Sequence, residues 1–149
     1  MVSRKLRIAV VLDTNVLVRA LKTRSTASPN QRLLRLWLLS KRLQLIVSHP
    51  LVEEYLEIFR DVLELEAELL HEWEQRFLDD ARSTLVNLGR RYNFSRDPDD
   101  NVLLATAAAG SAEYLVSNDR DLLDIDPQIL ARLPFEIVAP SVFLRRIAG

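Results

Sequence analysis

The chain has 149 residues, 48% apolar and 28% charged, a profile that fits one folded domain spanning 1–149 with its own core. It has no cysteine, which excludes a disulfide framework, a thiolate metal site and a cysteine nucleophile. The net charge of −1 hides an asymmetry: residues 1–45 carry ten Lys/Arg against the single acid Asp13, whereas residues 46–86 carry three Arg against eleven acids. The basic third is suited either to phosphates or to pairing with the acidic helices, and the sequence leaves both open. No stretch approaches the roughly 18 apolar residues of a spanning helix. The run Ile8 to Leu12 is too short for the core of a signal peptide, so no membrane association and a cytoplasmic location are expected.

In chain order, Leu6 to Leu12 is almost continuously aliphatic and predicts a strand covered on both faces. It stops at Asp13. Burying an unpaired carboxylate is expensive, so Asp13 is either a helix cap or the partner of something cationic. A short helix is expected from Asn15, and a second from Ser28 as N-cap with Pro29 in the first helical position. Leu43 to Val47 predicts a second strand. Ser48 then caps a helix with Pro50 in its first turn, running to about Leu63. "EAELLHEWEQRFLDDARSTLVNL" predicts one long helix ended by Gly89, and "GRRYNFSRDPDD" a loop. "DNVLLATAAAG" predicts a helix stopped by Gly110, "YLVSND" a third strand, "FEIVAP" a fourth, and "SVFLRRIA" a terminal helix. Strands alternating with helices imply an α/β fold whose mainly parallel sheet has helices on both faces.

In open parallel sheets, ligands bind outside the carboxyl ends of the strands. Asp13 follows the first strand and Asp119 the third, so both should face one crevice. At 100° per residue, Leu103, Leu104 and Ala107 fall within about 60° of Asp100. Asp100 therefore belongs to the inward face of its helix, while Asp97 or Asp99 serves as the cap. Glu53 and Glu54 both flank the apolar stripe of their helix. Glu53 groups with Glu57 and Arg60, and Glu54 sits beside Leu51 and Ile58, a slight preference for Glu54.

Four inward carboxylates repel one another, each pair costing roughly 4 kcal/mol at about 4 Å and an effective dielectric near 20. A divalent cation relieves this, and an all-oxygen site suits Mg²⁺ or Mn²⁺. His49 and His71 are expected at the surface or as helix caps rather than as ligands. An aspartyl-phosphate phosphatase would need an acid two residues after Asp13, where Asn15 stands.

The segments "LDTNVLV", Glu54 after "VSHP", "DPDDNVLLATAAA" and "YLVSNDRDLL", in this order, resemble the PIN (PilT N-terminus) domain family. The resemblance is strongest to its bacterial and archaeal branch of virulence-associated-protein-C-like toxins of toxin–antitoxin pairs. It implies a three-layer α/β/α sandwich, a Mg²⁺- or Mn²⁺-dependent ribonuclease leaving 5′-phosphate and 3′-hydroxyl ends, and an antitoxin partner. The family's four acids fall on Asp13, Glu54, Asp100 and Asp119, as metal ligands and catalytic residues. Its small polar residue after the first acid falls on Thr14, with Asn15 behind it. Asn118, preceded by Ser117, precedes the fourth acid, and Asp121 matches a further, less consistent acid. Under this reading Thr14, Asn15 and Asn118, with Arg19, Lys22 and Arg24 for the RNA backbone, are the substrate-binding candidates. The alternative is a catalytically inactive PIN module that binds RNA or a protein. A homodimer is expected from the apolar surplus in "RLLRLWLLSKRL".

Overall fold

The computed structural model describes residues 7–88 and 98–148, with the side chains of residues 98–100 outside the description. The elements run β1 (Ile8–Leu12), α1 (Thr14–Lys22), α2 (Pro29–Leu39), β2 (Leu43–Ser48), α3 (His49–Asp61), α4 (Ala67–Phe77), β3 (Ser83–Val86), α5 (Pro98–Ala109), β4 (Tyr114–Val116), α6 (Arg120–Leu123), α7 (Pro127–Leu130), β5 (Glu136–Val138) and α8 (Pro140–Ala148). Most of the segment expected as a loop, 89–97, lies outside the described residues.

The five strands form one sheet in the order β3-β2-β1-β4-β5, and every pairing is parallel. Val10, Val11 and Leu12 of β1 have no exposed surface, as expected for a central strand with helices over both faces. The order decides where a site can form. From β1 the chain steps outward to β2 and β3, then returns through α5 to β4 on the other side of β1. The reversal leaves a crevice outside the carboxyl ends of β1 and β4.

One expected element divides. The helix predicted to continue to Gly89 ends at Phe77, and Ser83–Val86 forms the edge strand β3. A turn at Asp79 makes the break: its carbonyl accepts from the Arg82 and Ser83 amides, and its carboxylate from the Ala81 amide and the Arg82 guanidinium. Leu45↔Ser83 through Ser48↔Val86 then pair β3 with β2, giving five strands rather than four. The single long helix expected up to Gly89 is therefore a shorter helix followed by a strand. The cluster "DDARS" was the turn signal.

Trp37, Tyr55, Phe59, Trp73 and Phe77 form a connected aromatic cluster that fixes α4 against α2 and α3, with Trp37 and Phe77 stacked at 5.7 Å. The apolar surplus of α2 is largely used here. Leu33, Leu34 and Trp37 are buried and Leu36 and Leu38 pack on the core, while Leu39 is 76% exposed. His49 and His71 are exposed, as anticipated.

Candidate functional site

A cleft of about 620 Å³ opens at the reversal point, and its lining includes Asp13, Thr14, Asn15, Glu53, Glu54, Glu57 and Asp119. Val18, Ile58, Val62, Val102 and Leu103 supply its apolar walls. Among the described lining residues there is no lysine or arginine.

Asp13 occupies the N-cap position of α1, but its side chain makes no capping bond. Its Oδ2 instead accepts from the Ser117 hydroxyl at 2.7 Å and from the Asn15 amide at 3.1 Å. The residue is 8% exposed. Burial raises its pKa above the ordinary aspartate value, partly countered by the Ser117 hydrogen bond and the Thr14 and Asn15 amides, with Asp119 adding a repulsive push. The Asp13 charge is thus held in the cleft at an energetic cost.

The other acids arrive on separate elements. Glu54 faces the cleft from α3 and accepts the Thr14 hydroxyl at 2.6 Å. Glu53 and Glu57 also line the cleft but are exposed, whereas Glu54 is half-buried. Asp119 follows β4. Its backbone N–H donates to the Ser117 hydroxyl at 2.9 Å and its carboxylate caps α6 through the Asp121 amide. Asp100 lies in the first turn of α5, one turn before Leu103 of the cleft wall, but its side chain and that of Asp99 lie outside the described residues, as does Asp97 altogether. Among the described residues, no three Asp, Glu or His side chains gather closely enough to hold a metal ion. Asp13, Glu54 and Asp119 each accept a hydrogen bond from a different donor, the Ser117 hydroxyl, the Thr14 hydroxyl and the Asp121 amide.

The remaining candidates divide. Thr14 gives its hydroxyl to Glu54, and Asn15 and Asn118 bond to each other rather than pointing outward. Arg19, Lys22 and Arg24 are exposed on α1 and the loop after it and lie outside the cleft lining. Asp121 is exposed and likewise not part of the lining.

Two residues were not picked out from the sequence. Tyr55, fully buried on α3, donates its hydroxyl to the carbonyl of Leu12, so the helix bearing Glu54 is bonded to the strand end that carries Asp13. Burial, then the Asp13 and Glu54 charges, raise the Tyr55 pKa well above its usual value, keeping it a donor. Asn30, at the start of α2, accepts from Asn118 at 2.8 Å. Tyr55 looked like one more apolar position of its helix, and nothing local marks Asn30.

A family model described as the PIN domain matches residues 9–121. No curated protein matches the chain in sequence. Among solved structures, a chain of VapBC2 from Rickettsia felis, bound to a DNA fragment from their promoter, is similar with a TM-score of 0.56 and 18% identity. The match covers 89% of this chain and 98% of that one, and at such identity it is a likeness of fold. The family match runs from β1 into α6, takes in Asp13, Glu54, Asp100 and Asp119, and covers well over half of the sequence. The chain therefore belongs to the PIN domain family.

Proposed function

We propose that the chain is a Mg²⁺- or Mn²⁺-dependent endoribonuclease, the toxin of a toxin–antitoxin pair acting in the cytoplasm. The observation that carries this reading is the placement of Asp13: a buried carboxylate with a raised pKa, sharing a cleft with Glu54 and Asp119 at the point where the strand order reverses. The donors are all oxygen, which fits a hard divalent cation, and Asp13, Glu54 and Asp119 together with Asp100 would hold it. Bound there, the ion supplies Lewis-acid activation of water and charge stabilisation for the leaving oxygen.

The chain's own groups do the positioning. Ser117 and Asn15 hold one oxygen of Asp13, and Thr14 holds Glu54. Arg19, Lys22 and Arg24, exposed beyond the cleft, are available to the RNA backbone. Hydrolysis leaves 5′-phosphate and 3′-hydroxyl ends. Among the described residues no helix is long and apolar enough to cross a membrane. The likeness to VapBC2 supports a protein partner that controls the activity, and a second copy of the chain completes the assembly.

The alternative reading is a PIN module that binds RNA or protein without cutting it. Incubating the protein with a mixed RNA pool and Mn²⁺, with and without chelator, separates the two. Metal-dependent cleavage with 5′-phosphate ends supports the nuclease, and intact RNA under both conditions leaves the binding module.

A further inference from the structure

The site's polar framework extends beyond the acids, and its polarity can be deduced. The backbone N–H of Asn118 can only donate, and it donates to Asn15 Oδ1 at 3.1 Å. That contact orients the Asn15 carboxamide and turns its Nδ2 toward Asp13 Oδ2, 3.1 Å away. The Asn118 side chain must then present its own Nδ2, which donates to Asn15 Oδ1 at 3.2 Å and to Asn30 Oδ1 at 2.8 Å. Asn30, half-buried just after Pro29 at the start of α2, is therefore an obligatory acceptor. The chain Asn30–Asn118–Asn15–Asp13 brings three separate segments onto one oxygen of Asp13, the oxygen that Ser117 also holds.

We propose that Asn30 is a positioning residue for the acid site: as the terminal acceptor of this amide chain, it holds Asn118 and Asn15 in the orientation that aims the Asp13 carboxylate. The proposal rests on the nuclease reading for its effect on turnover, but the amide chain itself does not depend on it. Without the Asn30 oxygen, an Asn118 amide hydrogen loses its partner, the Asn118 carboxamide keeps only its bond to Asn15, and the support it gives the Asn15 oxygen loosens. The first turn of α2 thereby becomes part of the catalytic framework although it touches neither substrate nor acid directly.

The test compares Asn30→Leu, which removes the acceptor, with Asn30→Asp, which keeps an acceptor oxygen in the same place. The side-chain amide signals of Asn15 and Asn118 are followed by ¹H–¹⁵N NMR, and kcat and KM are measured on the mixed RNA pool with Mn²⁺. The expected result is that Asn30→Leu moves both amide signals toward those of solvent-exposed amides and lowers kcat about tenfold, as for other residues that orient a ligand. KM stays unchanged, and Asn30→Asp retains wild-type values for both readouts. Wild-type amide signals and kcat in Asn30→Leu overturn the proposal, as does an equal loss in Asn30→Asp. If Asn30→Leu fails to fold, Asn30→Ser, which withdraws the oxygen with less added bulk, is read by the same criteria. If the wild-type protein cuts no RNA, the nuclease reading fails while the amide signals still decide whether Asn30 holds the chain.

Discussion

Burial lifts the Asp13 carboxyl above the ordinary aspartate range, more than the Ser117 hydroxyl and the nearby amides pull it down. The folded chain then binds a proton more readily than the unfolded one. In metal-free protein, stability consequently falls as pH rises from the ordinary aspartate pKa through the raised one, and the cost persists at neutral pH. Asp13→Asn removes that charge. Because Ser117 and Asn15 both donate to the same oxygen, a single carboxamide oxygen can still receive them. With chelator at pH 7, Asp13→Asn is expected to melt about 2–4 °C above wild type, the shift produced by about 1 kcal/mol in a chain of this size. The same variant should cut no RNA. Calorimetry showing a lower melting temperature would mean that the charge is compensated within the fold. Asp100→Asn is expected to abolish cleavage of the RNA pool with the melting temperature unchanged or higher. A drop of several degrees would assign Asp100 a structural role instead.

The helix α5 passes over the sheet and ends where Gly110 meets β2. A Cβ at position 110 would stand 2.2 Å from Cγ2 of Ile46 and 3.2 Å from Cγ1 of Val86. Glycine is required there by the close approach of the helix end to two buried or half-buried strand side chains. Gly110→Ala should destabilise by about 1–3 kcal/mol, the usual cost of overpacking, and thermal unfolding measures it directly. Wild-type stability in Gly110→Ala would show that Ile46 can rotate away at no cost. The same contact region explains why β3 matters beyond its length. Val86 is half-buried beside Gly110, so the strand hidden within an apparent helix also seats the helix that leads to Asp100.

Across the molecule, α1 and α2 expose Arg19, Lys22, Arg32 and Arg35, while α3 and α4 expose Glu53, Glu57, Glu68 and Glu72. The basic side is available to RNA phosphates, and the acid cleft to a cationic side chain. A partner that places an arginine in the cleft would form a charge-assisted pair with Asp13 or Glu54 and occupy the site. Co-expression with the adjacent reading frame is expected to give a co-purifying complex with suppressed cleavage. A neighbour that neither co-purifies nor suppresses cleavage would leave a solitary RNA-processing nuclease. A homodimer would cover exposed apolar side chains such as Leu39, at 76%, and Leu69, at 45%. Light scattering at micromolar concentration is expected to give twice 17.1 kDa, and a single-copy mass would refute the dimer.

The sequence by itself determined the elements whose cause is local. An unbroken aliphatic run makes a two-face-covered β1, Ser48 with Pro50 starts α3 and its hydroxyl accepts from the Leu51 amide, and the apolar stripe after Asp100 belongs to a helix. It also marked Asp13 as a residue that ends such a strand for a reason, either as a helix cap or as the partner of something cationic. The tertiary structure alone decided the rest. The edge strand β3 exists because β2 offers it a ladder. Glu54 is distinguished from Glu53 by a threonine hydroxyl forty positions away in the chain. The network on Asp13 joins residues 103 and 104 positions apart, and the tyrosine that fixes the end of β1 reaches back 43 positions. Periodicity and capping act within a turn or two of the chain. Hydrogen bonds across the crevice arise only once the strand order has brought β1, β4, α2 and α3 to one edge of the sheet.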